Sequence, residues 1–366
     1  MALMDSRRRK LARSCVAAAL LVLAVAAPAR AQSAQLDGVQ VHPLWNGVTI
    51  REGARELDIA RGAGADVVRV DVAWSSLELE GKRRWSRGYA RRFDAFLANA
   101  RARGLRVIAV LNETPCWASK APRALRAGCS GDWWNRAVTR YPPRRSADYA
   151  DAAVYVARRW GASLAALEIW NEPNASVFLR SPDPVRDYAR LVRSSYRRVK
   201  RVAPRLTVLA GALALSDGRF LIGLYERGRI RGHYDAISYH PYGEGSDPAI
   251  AEHARGIEWS FIQGTAWMHD IMVSHGDSRA ELWATEAGAS TCNPMFDSGC
   301  VSESAQAAHV ASYLRLARTF PYLRAMVIYN LRDKGTSTRN REDRFGIVRR
   351  DLSPKPALRA FREAAR

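Results

Sequence analysis

The sequence has no Gly/Ser-rich or Pro-rich linker, no low-complexity tract and no close internal repeat. Without such breaks it reads as one domain, not as a string of modules or a repeat array. Histidine and cysteine nowhere fall at metal-ligand spacing, so no metal site is expected. Nothing matches a nucleic-acid-binding motif, so no nucleic acid is expected as partner. The apolar run Val16 to Ala27 is shorter than the ~20 residues of a membrane-spanning helix, and no stable membrane insertion is expected. Cysteine is scarce, with five in 366 residues.

What surrounds that apolar run explains it. Arg7, Arg8, Arg9 and Lys10 precede it, and Ala29-Arg30-Ala31 follows as a small-x-small cleavage site. Residues 1–31 are therefore read as a cleaved signal peptide and 32–366 as the mature domain, a secreted, extracytoplasmic protein expected to be a monomer. Cleavage removes six Lys/Arg and one Asp and lowers the formal net charge from +21 to +16. The arginines lie scattered through every predicted helix, which favours a solvated basic surface over one binding block. Even so, the charge tilts the expected substrate towards an anionic polymer. Cys116, Cys129, Cys292 and Cys300 remain after cleavage. In an exported chain an even number reads as disulfides, with three possible connectivities, of which the local pairs Cys116–Cys129 and Cys292–Cys300 are favoured.

Apolar runs alternate with amphipathic segments along the rest of the chain, the pattern of parallel βα units. Strands are expected at Val39–Leu44, Asp66–Val72, Arg106–Leu111, Leu164–Ile169, Thr207–Ala212, Ala236–Tyr239, Leu282–Thr285 and Ala325–Tyr329. Helices are expected at Arg51–Gly62, Arg91–Ala102, Ser146–Trp160, Pro184–Val202, Arg219–Arg227, Ile250–Ser274, Ser304–Thr319 and Pro356–Ala364. Eight of each make an α/β fold, a single (β/α)8 TIM barrel, whose reactive groups belong at the carboxyl ends of the strands.

Two carboxylates stand there. Leu167-Glu168-Ile169-Trp170-Asn171-Glu172-Pro173-Asn174 ends strand 4, and Glu281-Leu282-Trp283-Ala284-Thr285-Glu286-Ala287-Gly288 ends strand 7. Period-two alternation puts Glu168, Trp170 and Glu172 on one face, with Asn171 on the other or twisted into the mouth. Glu172 and Glu286 are 114 residues apart, room for three βα units. A pair so placed suits a retaining glycosidase, which needs an acid and a nucleophile about 5 Å apart.

These two motifs resemble the acid/base and nucleophile strands of clan A glycoside hydrolases, most nearly families 39 and 5. The resemblance implies an O-glycosyl hydrolase without cofactor, cleaving β-glycosidic bonds of a polysaccharide or oligosaccharide, with Glu172 as acid/base and Glu286 as nucleophile. It implies that Asn171 bonds the sugar, that Arg69 holds the nucleophile ionised, and that His240 and Tyr242 line the sugar site. Thr114-Pro115-Cys116-Trp117-Ala118 is similar to that family's loop after strand 3. Trp117, and with it Trp133 and Trp134, would be stacking platforms, and Trp74 is a further candidate after strand 2. Strand 8 departs from the usual pattern, ending in Tyr329-Asn330 where a tryptophan often stands, so Asn330 takes the place of a substrate contact. A barrel that binds carbohydrate without cleaving it, and a transglycosylase using the same glutamates, are the other readings of the same residues.

Overall fold

The computed structural model describes residues 35–127, 129 and 137–365. The expected signal peptide and the tryptophans at 133 and 134 lie outside them. Eight parallel strands close in sequence order into a barrel: β1 (Leu36–Val41), β2 (Val67–Ala73), β3 (Arg106–Asn112), β4 (Ala166–Ile169), β5 (Thr207–Ala214), β6 (Ala236–His240), β7 (Glu281–Ala287) and β8 (Leu323–Ile328). Around it lie α1 (Ile50–Gly62), the single turns α2 (Trp74–Leu77) and α4 (Arg123–Arg126), α3 (Arg87–Ala102), α5 (Ser146–Trp160), α6 (Pro184–Val202), α7 (Gly218–Glu226), α8 (Phe261–Ser274), α9 (Glu303–Ala317) and α10 (Pro356–Ala364). The fold is the (β/α)8 barrel that the alternating pattern implies.

Most expected boundaries shift by only a few residues, and two differences have clear causes. β1 ends at Val41, three residues early, because Pro43 lacks the N–H that would continue the ladder. α8 begins at Phe261 and not near Ile250. Ser260 accepts a hydrogen bond from the Gln263 N–H and caps it, while Gly256, at φ 111°, bends the chain before it. The same capping chemistry starts other helices. Thr49 and Glu52 form a reciprocal capping box on α1, and Asp183 with Pro184 opens α6.

The barrel interior is layered. Each strand contributes to an apolar plug near its amino end, among them Leu36, Val67, Ile108, Leu209 and Trp283. Above the plug the inward positions turn polar: Gln40 on β1, Arg69 on β2, Glu168 on β4 and Thr285 on β7, all buried. Outward-facing valines, leucines and alanines pack the helices in a second, larger core. Burying charge in the barrel is tolerable because Arg69 and Glu168 satisfy one another at 2.7 Å, and Thr285 donates to Glu168 at 2.8 Å.

A second buried ion pair closes the chain. Lys355, just before α10, donates to Asp333 at 2.9 Å, to Thr291 at 3.0 Å and to the Arg344 carbonyl at 3.2 Å. Both charged side chains are inaccessible to solvent. Lys355→Met is expected to cost about 3 kcal/mol in urea unfolding, the low end for breaking one half of a buried pair. Arg344, 3.6 Å from Asp333, keeps part of the compensation. Asp333→Asn in the same chain should return part of that loss, and no recovery would show that packing rather than charge sets the cost.

Both favoured cysteine pairings are present. Cys116 and Cys129 bridge with Cα atoms 5.7 Å apart, and Cys292 and Cys300 with 5.0 Å. Each staples a loop that follows a strand at the mouth side of the barrel.

Candidate active site

β4 stops at Ile169, and the next three residues leave extended geometry. Trp170 and Glu172 take positive φ, 69° and 42°. Hydrogen bonds hold this turn from three sides: Trp170 N–H donates to the Leu111 carbonyl, Tyr188 Oη to the Ile169 carbonyl, and Glu172 N–H to the Ala212 carbonyl. Asn174 locks the far end, exchanging hydrogen bonds with the Ala214 backbone. Positive φ breaks the alternation expected from an extended strand. Trp170 turns towards Tyr149 of α5, whereas Asn171 reaches the mouth and joins Arg69. Trp170 and Glu172 still both border the cleft, while Glu168 stays buried below it.

Arg69 is the hub. Its guanidinium is fully buried and donates to Glu168, to Gln40 at 3.0 Å, to Asn171 Oδ1 at 2.9 Å and to Glu286 Oε1. The resemblance implied that Arg69 supports the carboxylate on β7; it contacts Glu286 and Glu168 alike. Tyr242 Oη donates to the other Glu286 oxygen at 2.9 Å. Burial works to raise the Glu286 pKa, but charge on His240, the Arg69 guanidinium and the Tyr242 hydrogen bond outweigh it, so the net direction is down. Burial and the Glu286 charge push the Tyr242 phenol far up, which keeps it a donor.

His240 links the two glutamates. Nδ1 lies 2.8 Å from Glu172 Oε1 and 3.7 Å from Glu286 Oε2. Nε2 is 3.5 Å from Arg69 Nη2, which can only donate, so in the neutral ring the proton sits on Nδ1. One carboxylate oxygen of Glu172, one of Glu286 and a His240 nitrogen lie within 4.8 Å of one another. That spacing could take a metal ion, but the buried Arg69 cation against Glu286 opposes a second cation there.

The glutamates stand in a cleft of about 1360 Å³ at the mouth of the barrel. Asn171, Glu172, Tyr242 and Glu286 line it, with Arg69 and His240 packed directly behind. Three expected contacts lie elsewhere. Trp74 is buried and donates to Glu78 at 2.6 Å. Trp117 stacks edge-on against Trp74 and donates to the Glu78 carbonyl. Asn330 is buried, and its neighbour Tyr329 forms the cleft wall.

The exposed aromatic surfaces of the cleft are others. Trp45, 41% exposed, stacks on His42 with ring centroids 3.9 Å apart, and Phe178 is 40% exposed on the β4 side. Lys334 lies over both Trp45 and Tyr329, at 5.2 and 4.8 Å from the ring centroids. His42 meets Asp71 at 3.1 Å, and the Asp71 charge is felt at Glu286. His42 was findable, since it follows β1 and every strand end of a barrel opens on the same mouth. Lys334 and Phe345 come from the long loop after β8 and carried no such signal.

No family's sequence model matches the chain, and no curated protein is significantly similar to it. Solved structures share its fold. A family 39 glycoside hydrolase from the gut symbiont Bacteroides cellulosilyticus superimposes over 90% of this chain with a TM-score of 0.71 and 23% identity. The match spans 63% of that protein's length. A family 5 glycoside hydrolase from Streptomyces cattleya, solved with a Man-β1,4-GlcNAc ligand, gives 0.66 at 18% identity, covering 91% of this chain and 80% of its own. A β-glucosidase from Pyrococcus furiosus gives 0.63 at 13%, covering 90% and 94%. The likeness is one of fold: these glycoside hydrolases share the same (β/α)8 barrel.

Proposed function

We propose that the chain is a retaining O-glycosyl hydrolase of β-linked oligo- or polysaccharides. The observation that carries this is the approach of two carboxylates, Glu172 and Glu286, to within 4.8 Å across a barrel-mouth cleft. That is the retaining separation, about 5 Å, and too close for the water that an inverting pair must admit. Ionised Glu286 attacks the sugar C1 and the C1–O bond breaks, while Glu172 passes its proton to the departing oxygen. Glu172 then takes a proton from water, whose oxygen attacks C1 and releases Glu286. Arg69 and Tyr242 leave Glu286 ionised and hold it in one rotamer. Because Arg69 takes the Asn171 carbonyl oxygen, Nδ2 is left as the donor a sugar 2-hydroxyl would meet.

Two disulfides support export to an oxidising compartment. Among the described residues no helix is long and apolar enough to cross a membrane.

The test is intact mass after incubation with a panel of 2-deoxy-2-fluoro β-glycosides, whose fluorine slows breakdown of the glycosyl ester. A stable adduct on the peptide containing Glu286 is expected with the sugar that fits the site. An adduct mapped to another residue, or none across a panel that includes oligosaccharides, would overturn the assignment.

A further inference from the structure

The strong positive charge of this protein is not in its cleft. Six carboxylates line the cleft (Asp71, Glu113, Glu172, Glu244, Glu286 and Glu342) against four cations, Arg92, Arg140, Lys334 and Arg341. Much of the excess gathers on α6. There Arg190, Arg193, Arg197 and Arg201 recur at three- and four-residue spacing on one face, and Arg198 adjoins them. Together with Ser146 and Ser194 they line a groove of about 330 Å³. A second groove of about 340 Å³ shares Ser146 and Arg190 with the first and adds Lys120, Arg144 and Arg145. The two make one trough along α6, and the segment that borders it, Pro142 to Arg145, follows in the chain directly after Thr139, Arg140 and Tyr141, the first two of which line the cleft. From Arg190 to Arg201 alone it runs about 16 Å.

Eight cations face this trough against few acids. Asp187, at 2.8 Å from Lys120 and 3.6 Å from Arg190, serves both, and Asp151 takes Arg198. Arg197 and Arg201 pair with no acid among the described residues. Burial first, then Arg197, Arg190 and Arg229, push the Arg193 pKa down, as expected where cations crowd without counter-charge. α5 starts at this trough, and no side chain caps it, so its positive end adds to the same field. Such crowding is relieved by a ligand carrying several anionic groups in line.

We propose that the α5–α6 trough is a secondary binding site for a linear acidic polysaccharide, which anchors the enzyme. Guanidinium groups pair with carboxylates through two parallel hydrogen bonds, and serines beside them suit sugar hydroxyls. None of the lining residues is aromatic, whereas grooves for single-stranded nucleic acid interleave aromatics for base stacking. No exposed large hydrophobic lies in the trough either, so nothing there would insert into a membrane.

Binding of a fluorescent oligogalacturonate to the whole mature chain, followed by anisotropy at low and moderate salt, tests this without using activity. Arg190→Gln/Arg197→Gln/Arg201→Gln should weaken binding at least tenfold and flatten its salt dependence. Thermal melting and hydrolysis of an aryl glycoside should stay as in the parent. An equal-charge control, Arg51→Gln/Arg55→Gln/Arg362→Gln on exposed helix faces elsewhere, should bind nearly as the parent does. Equal losses in the two variants would reduce the site to diffuse net charge and overturn the proposal. So would equal competition by single-stranded DNA of the same charge, which would make nucleic acid the better partner. Absence of binding by the parent chain would end it as well, and would leave the hydrolase reading untouched.

Discussion

Glu286→Gln is expected to stop turnover of every glycoside offered, activated or not, whereas Glu172→Gln should be selective. With the proton donor gone, hydrolysis of an unactivated oligosaccharide should fall by about 10²–10⁴-fold, the usual worth of general acid catalysis. A dinitrophenyl glycoside needs no proton on its leaving group, so its kcat/KM should stay near that of the parent. Its kcat should nevertheless fall, because in the proposed mechanism Glu172 also activates water in the second step. Azide, a nucleophile that needs no base, should restore kcat in Glu172→Gln and give the glycosyl azide of unchanged anomeric configuration. In Glu286→Gln no such rescue of retention is possible, because the ester that azide would intercept never forms. Swapped behaviour of the two variants would reverse the roles. Near-parental activity of either on an unactivated substrate would remove that residue from the mechanism.

Much of the site follows from patterns in one dimension. A strand that ends in Asn171-Glu172-Pro173 and another that ends in Glu286-Ala287-Gly288 must deliver their carboxylates to one mouth once eight strands close in order. His240 and Tyr242 follow from the same rule on β6. What resisted reading was local. The alternation rule assumes extended backbone, and it failed at Trp170 and Glu172, where positive φ swings Asn171 inward. Trp74 and Trp117 lie outside the cleft lining for a related reason: aromatic residues near a strand end are as useful for packing as for stacking sugars. Both satisfy their N–H groups on Glu78 and pack edge to face, Trp74 fully buried and Trp117 half-buried. Trp45, in a Leu-Trp-Asn-Gly turn with no special mark, holds the exposed ring face. The arginines read as scattered because helical periodicity spreads one face over many positions; α6 brings together residues that the sequence keeps three or four apart.

Arg69→Met is expected to have the largest structural effect and a distinctive kinetic one. The substitution keeps much of the volume but strands Glu168, fully buried in the barrel, and Glu286, nearly buried at the cleft floor, which share the guanidinium. Breaking one buried pair costs about 3–5 kcal/mol, and here one cation serves two. The pH dependence separates structure from chemistry. Glu286 has its pKa held down in the folded state, so it contributes stability above the unfolded carboxylate pKa, and that stability is lost as pH falls through the lower folded value. In the parent, the acid limb of kcat/KM should therefore lie below the ordinary carboxylate range. In Arg69→Met burial acts with less opposition, and the limb should move to higher pH. Adding Glu168→Leu removes the second stranded charge, so the double variant should regain stability in urea unfolding yet keep the displaced acid limb. Arg69→Lys should retain charge but not the fork that reaches Glu168, Gln40, Asn171 and Glu286 together. Its acid limb should move less than in Arg69→Met, while turnover still drops because Asn171 loses its orientation. An unmoved acid limb in Arg69→Met would show that Tyr242 and His240 suffice to ionise the nucleophile, and Arg69 would then be a structural cation only.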